Sequence, residues 1–334
     1  MEYMILTVFP FVCVIGYLLF SRFNNDFDRG VVAFNRKEYN QALYYFDKVK
    51  NKDSWYYLGL MYLNGYGVSV DIKKAVLYLE KSARLGNKEA LYKIGMMYFN
   101  GEFIKKDRSK AFIFLIQIAD IYINASYLVG IMILEKSKLF SYSDVDAYKF
   151  IIRAAFSGMK EAQYQVGILL SQGRGISKNI EESLIWFQKA KEQGHQQASV
   201  KYKDIKLLSD SKKGNKNSQY LLGMEYLYNS ENYQTAIYWL EQSAKNGLNE
   251  AQYTLGVLFY EGKYTEKNYK KAVYWFEKAA KKGYPKAQYF LGSLYCYGEG
   301  VLKDLYKAAK WLRKANEQGE NVSELWNRYE LWKY

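Results

Sequence analysis

The stretch KKAVYWFEKAAKKGYPKAQYFLGSLYCYGEGVLKD, Lys270–Asp304, decides the fold of this chain. Within it, Ala272 is followed three residues later by Trp275 and eleven residues later by Gly283. The series restarts 36 residues on, at Ala308, Trp311 and Gly319, and it is also found 36 residues back, at Ala236, Trp239 and Gly247. A second register of the same period holds Ala75, Ala111, Ala147 and Ser183. Its aromatic partners are Tyr78, Phe114, Phe150 and Trp186, and its closing residues are Gly86, Tyr122, Gly158 and Gly194. Tyr122 is the one departure from glycine. Another glycine lies upstream in every unit: Gly59, Gly95, Gly130, Gly167, Gly223, Gly256 and Gly292. Self-similarity at a fixed period of this length is the signature of a solenoid.

Each unit has the physics of a helical hairpin. In the first helix Trp55, Leu58, Gly59 and Tyr62 fall at i, i+3, i+4 and i+7, one helical face. A glycine inside that face costs about 1 kcal/mol of helix propensity against alanine, so the spacing predicts a close helix crossing there. In the second helix Ala75, Tyr78, Leu79 and Ser82 make the matching face. Four residues before each repeat alanine stands Asp71, Asp107, Ser143, Asn179, Asn232, Asn268 or Asp304. All are residue types whose side-chain oxygen caps a helix N-terminus. The closing glycine suits a left-handed C-cap before the next unit.

The segments AQYTLG (Ala251–Gly256), KKAVYWFEKAAKKG (Lys270–Gly283) and AQYFLGSLYCYGEGVLKD (Ala287–Asp304) resemble the Sel1-like repeat family, relatives of tetratricopeptide repeats. The resemblance covers roughly residues 52–319 and implies an all-α, right-handed superhelical solenoid of helical hairpins. On this reading four Sel1-like repeats occupy 52–194 and three occupy 215–319. Residues 24–51, with Gly30, Ala42 and Phe46 and a shorter inter-helix loop, resemble a tetratricopeptide unit starting the array. Between Gly194 and Gly214 there are 20 residues where a full unit needs 36, which predicts one helix over 195–214 and a kink dividing 24–194 from 215–334. Residues 320–334 (ENVSELWNRYELWKY) read as a terminal helix, with Leu325, Trp326 and Tyr329 closing the last apolar face.

The remaining N-terminal segment, 1–23, is of another kind. Met4–Phe20 (MILTVFPFVCVIGYLLF) has no charge over 17 residues, the lower limit for a spanning helix. No Lys or Arg precedes it and no small-residue cleavage site follows, so an uncleaved membrane anchor is expected rather than a signal peptide. Arg22, Arg29, Arg36 and Lys37 follow the run, which favours a cytoplasmic body, with a periplasmic or other extracytoplasmic one as the alternative.

Composition narrows the chemistry. The 334 residues hold 2 Cys, which exclude a disulfide framework or a multi-cysteine zinc site, and 1 His, which makes imidazole chemistry improbable. Gly65-Tyr66-Gly67, Gly173-Arg174-Gly175 and Gly298-Glu299-Gly300 follow helices and lack the rest of a phosphate-binding signature, so they read as turns. His195, in the hydrophilic run Gly194-His195-Gln196-Gln197, reads as a surface residue, and Glu181-Glu182 suit the start of a helix. No catalytic, cofactor-binding or metal-binding set emerges. A net charge of +14 comes largely from lysines on second helices, such as Lys270, Lys271, Lys278, Lys281 and Lys282, interleaved with Glu266 and Glu277. That pattern reads as solvated helix faces with some attraction to an anionic membrane surface, and not as a nucleic-acid stripe.

The repeats also serve as an internal alignment. Tyr56, Tyr92, Tyr127, Tyr164, Tyr220, Tyr253 and Tyr289 fill one slot in all seven units and are assigned to structure. In tetratricopeptide-like solenoids the first helices form the concave wall. Along that wall one slot reads Leu60, Met96, Ile131, Ile168, Met224, Val257, Ser293. The next reads Leu63, Phe99, Leu134, Ser171, Leu227, Tyr260, Cys296. An outer slot, Asp53, Glu89, Asn124, Glu161, Asn217, Glu250 and Lys286, rims it with mostly acidic charge. Such a stripe suits capture of a partner's helix or loop. Glu89, Met96, Phe99, Glu161, Met224, Glu250, Tyr260 and Lys286 are the expected partner-binding residues.

The family resemblance then implies a non-catalytic protein-interaction scaffold or adaptor. The alternative it offers is an immunity-type inhibitor that neutralises a secreted toxin or lipase effector. A third role in the family, binding or hydrolysis of β-lactams, belongs to members with a cysteine pair in each repeat, which this chain lacks.

Overall fold

The computed structural model describes residues 25–136, 141–230 and 232–334, and among these every regular element is helical. Two compact units, Met1–His195 and Gln196–Tyr334, divide the chain. The first contains α1 (Asp26–Asn35), α2 (Tyr39–Val49), α3 (Lys52–Asn64), α4 (Ile72–Arg84), α5 (Lys88–Asn100), α6 (Arg108–Leu115), α7 (Ile123–Lys136), α8 (Asp144–Phe156), α9 (Lys160–Gln172) and α10 (Ile180–Glu192). The second contains α11 (Gln196–Lys212), α12 (Lys216–Tyr228), α13 (Tyr233–Lys245), α14 (Asn249–Glu261), α15 (Tyr269–Lys281), α16 (Pro285–Tyr297), α17 (Leu305–Glu317) and α18 (Ser323–Arg328). The run Met4–Phe20 lies outside the described residues, and among those described no helix is long and apolar enough to cross a membrane.

Consecutive helices pair as hairpins, α1 with α2, α3 with α4, and so on to α9 with α10, then α12 with α13, α14 with α15 and α16 with α17. The pairing follows from the first-helix glycine. A Cβ built on Gly95 would lie 2.7 Å from Leu115 Cδ2, and one on Gly167 would lie 2.7 Å from the Phe187 ring. Only a missing side chain lets the second helix come that close. The partner side chains are themselves sealed, with Leu79, Leu115, Phe187, Phe276 and Leu312 all fully buried.

Helix starts and stops are set locally. Asp71, Asp107, Ser143, Asn179, Asn232, Asn268 and Asp304 each accept a hydrogen bond from the backbone N–H three residues on. The repeat-closing glycines from Gly86 to Gly319 adopt positive φ. The loop within the hairpin is closed by the capping residue's amide, as in Asp107 N–H to Tyr98 O at 2.9 Å and Asn268 N–H to Phe259 O at 2.8 Å. Loops of the Gly173-Arg174-Gly175 kind are inter-helix turns whose second glycine packs on the preceding second helix. A Cβ on Gly175 would meet the Asp144 carbonyl oxygen at 2.1 Å.

Successive elements are tied by the glutamine of an Ala-Gln-Tyr triplet, or Ser-Gln-Tyr at Gln219. Buried Gln163, Gln219, Gln252 and Gln288 donate to the carbonyls of Ala155, Ser211, Ala244 and Ala280 in the helix before. Three of these amides also accept from the end of their own hairpin, through Gln193, Asn246 and Gln318, at 2.8 Å in each case. The fourth differs, because the corresponding residue is Lys282, which donates to Gly247 O at 3.1 Å, and Gln252 Oε1 is left buried without a protein donor.

The repeat is broken at three places. Where Tyr122 replaces the closing glycine, α6 stops after eight residues and continues as a 3-10 turn, Ile116–Ile118. Between Gly194 and Gly214 a single 17-residue helix, α11, takes the place of a hairpin. The C-terminal segment, expected as one helix, breaks in two because Glu330 turns left-handed at φ 48°; α18 is followed by a 3-10 turn, Leu331–Lys333. Leu325 and Leu331 are buried there and cover Cys296 together with Val322.

Candidate partner-binding face

On the first helices the side chains at i, i+3, i+7 and i+10 share one face, a single stripe along the helix. In α5 that stripe is Glu89, Tyr92, Met96 and Phe99, of which Glu89 is exposed and the others are half-buried. The corresponding residues of α9 are Glu161, Tyr164, Ile168 and Ser171, all half-buried. In the second unit Met224, Val257 and Tyr260 are half-buried, while Glu250 and Lys286 are exposed. The stripe is not uniform. Leu63, Leu227, Ser293 and Cys296, at equivalent slots, are buried. It therefore closes over at the last hairpin, where the C-terminal segment covers it.

Phe99 and Tyr260, among the expected contact residues, pack on other side chains of the fold. Phe99 lies under the Arg108 guanidinium, whose carbon is 3.8 Å from the ring centroid, and Arg108 in turn is 4.0 Å from Glu135. Tyr260 meets Tyr269 and Phe290 edge-on, both with centroids 5.6 Å away. Burial raises the Tyr260 phenol above its ordinary value. Met96 and Met224 are half-buried, and their flexible thioethers make them the more adaptable surface of the eight.

Neighbouring first helices are joined by the outer slot. Asn87 donates to Asp53 at 2.8 Å, and Asn124 reaches the Tyr92 hydroxyl at 3.4 Å. Burial first and then the Glu89 carboxylate raise the Tyr56 phenol. Burial and then Glu161 act in the same way on Tyr127. A tyrosine of one hairpin therefore faces the acidic residue of the next. Among the described residues no three His, Cys, Asp or Glu side chains come together as metal ligands.

Residues 55–87, 88–120, 160–195, 216–248, 249–284 and 285–320 each match the Sel1 repeat. The chain belongs to the Sel1 repeat family. The hairpin α7–α8, which follows Tyr122, lies between the second and third matched repeats. Among solved structures, a protective antigen of uropathogenic Escherichia coli with an SLR fold is 28% identical; the match covers 88% of this chain and 69% of that one, with a TM-score of 0.44. A Sel1 repeat protein from Oxalobacter formigenes is 26% identical over 91% of this chain and 85% of that one, with a TM-score of 0.41. An immunity protein from Pseudomonas aeruginosa is 17% identical over 80% and 81%, with a TM-score of 0.27.

The column the repeat alignment assigned to structure belongs in part to this face. Tyr56, Tyr92, Tyr127, Tyr164, Tyr220, Tyr253 and Tyr289 are all half-buried, each on the first helix of its unit. Tyr122 joins them, stacking on Tyr92 with centroids 5.3 Å apart and donating to Glu89 at 3.5 Å. His195, read as a surface residue, is half-buried and stacks on Tyr164 at 4.5 Å. The signal for the column was its chemistry, since a side chain with a hydroxyl in every Sel1 repeat needs a polar outlet that a closed core does not provide.

Proposed function

We propose that this Sel1 repeat protein is a non-catalytic scaffold that captures a protein partner on its first-helix faces, with Met4–Phe20 as a membrane tether. The observation that carries the reading is made in each unit separately: partly buried tyrosines and a methionine with a solvent edge line the first helices, edged by Glu89 and Glu161 in the first unit and by Glu250 in the second. Tyrosine supplies large contact area at low entropic cost, and methionine adapts to different partners. A helix or loop with an apolar face and basic flanks complements that surface.

The test is in-cell crosslinking and mass spectrometry of the full-length protein beside Met96→Lys with Met224→Lys. These two side chains contact solvent, so the variant keeps its helical circular dichroism while losing its partners. Several partners lost together identify an adaptor. One dominant partner, bound in fixed stoichiometry and acting as a toxin, identifies an inhibitor instead. A partner set unchanged in a folded variant rules out the first-helix face as the binding surface.

A further inference from the structure

The second helices carry a feature that partner capture on the first helices does not use. Two residues after the repeat alanine stand Tyr44, Leu77, Ile113, Ile185, Tyr238 and Tyr274, each at least half exposed. Single exposed apolar side chains are ordinary, but here one slot recurs on six second helices, interrupted by Lys149 and Lys310 at the same slot of α8 and α17. In the second unit exposed tyrosines sit among bases. On α15 the exposed face holds Tyr274 between Lys270, Lys271, Lys278 and Lys281; on α17 it holds Tyr306 beside Lys307, Lys310, Arg313 and Lys314. The acids on these two helices are Glu277, which pairs with Lys281 at 2.7 Å, and Glu317.

The two helices act as one surface. Both pack on α16, and Trp311 of α17 joins the core cluster that holds Trp275 of α15. The loop before α17 closes on the head of α15, where a Cβ on Gly300 would lie 2.5 Å from the Tyr269 carbonyl. From that loop projects Leu302, 91% exposed and the most exposed large apolar side chain among the described residues.

We infer that the α15–α17 outer face of the second unit is a peripheral docking surface for an anionic lipid bilayer. The charge is complementary to phosphate headgroups and is carried by lysine in seven of eight positions, where point charges on long stems suit a fluid surface. Tyrosines among the bases and a projecting leucine are the side chains that settle at a membrane interface. The first-helix faces are then left open for protein, so the inference stands independently of the function proposed above.

The experiment places a fluorophore at Glu317→Cys, or at Lys216→Cys on a first helix, in full-length protein carrying Cys13→Ser. Each protein is mixed with vesicles of phosphatidylcholine alone or with one-third phosphatidylglycerol, containing headgroup nitroxide lipids. Any insertion of residues 4–20 occurs in both vesicles, so the readout is the phosphatidylglycerol-dependent quenching. That quenching is expected at Glu317→Cys, is weaker at Lys216→Cys, and is suppressed by 0.5 M salt. Lys270→Glu, Lys278→Glu and Lys310→Glu together reduce the affinity behind it by roughly a hundredfold, at about tenfold or less per lysine near the surface. The same reversal at exposed Lys88, Lys201 and Lys216 leaves most of it in place. Equal quenching at both probe positions, equal loss in the two triple variants, or no dependence on phosphatidylglycerol overturns the inference. So does binding to duplex DNA through the same lysines without vesicle quenching.

Discussion

Gly167 shows how one missing methyl group organises a hairpin. An added Cβ meets three atoms of the Phe187 ring within 2.9 Å, and that ring is fully buried and cannot swing away. Gly167→Ala gains about 1 kcal/mol of helix propensity and loses about 2–3 kcal/mol to overpacking. Urea titration is therefore expected to show a net loss of about 1–2 kcal/mol; a stabilised variant would mean the helices do not cross this closely. Lys282 marks the opposite case, a local defect open to repair. Asn246, one unit earlier, donates both to Gly214 O and to Gln219 Oε1, whereas Lys282 reaches only Gly247 O. Lys282→Asn supplies the missing donor to Gln252 Oε1 and is expected to raise stability by about 1 kcal/mol. An unchanged urea midpoint would indicate that Gln252 has no need of that donor.

At the scale of the element, α15 carries the core of the second unit on one side and its basic face on the other. Trp275 is 5% exposed and packs with Phe276, Ala279 and Ala280 in the largest cluster of that unit. Trp275→Ala should lower stability by about 3–5 kcal/mol. In a repeat array that loss propagates to nearest neighbours first, so hydrogen exchange should rise in α14, α15 and α16 before α12. Uniform protection across the unit would contradict this register. The hairpin α5–α6 departs from the others at its end. At 122 the closing glycine is replaced by a tyrosine whose ring stacks on Tyr92, and α6 of the same hairpin gives way to a 3-10 turn after Leu115.

For the molecule as a whole, buried weak acids set the alkaline limit of stability. Burial pushes the Cys296 thiol from 9.0 to about 11, and it also raises the phenols of Tyr56, Tyr127, Tyr253, Tyr260 and Tyr289 from 10.0. The folded chain holds these protons more tightly than the unfolded chain does. Their contribution is complete below the unfolded values and is lost as pH climbs through the folded ones. The urea midpoint should accordingly hold steady up to pH 9 and fall between pH 9 and 11. Cys296→Ala should remove the earliest part of that fall, and a midpoint constant to pH 11 would place these groups in solvent. The same burial keeps Cys296 silent to a thiol reagent at pH 8 in Cys13→Ser protein until it is denatured.

Period, caps, turns and the family were legible in the sequence because each is a local demand, repeated. A glycine that must turn left, a short polar side chain that must cap, and an alanine that must pass under a neighbour look alike in every unit. Tertiary structure alone decided which of two equally regular columns faces solvent. The tyrosines assigned to structure are partly buried and pack on the core while keeping a solvent edge, whereas Leu63, Leu227 and Cys296, placed on the open stripe by spacing, are buried. Exposure depends on what the next hairpin and the C-terminal segment lay across a helix, and helical periodicity carries no record of that. The bare oxygen of Gln252 belongs to the same class, since its missing donor is the residue at 282, thirty positions along the chain.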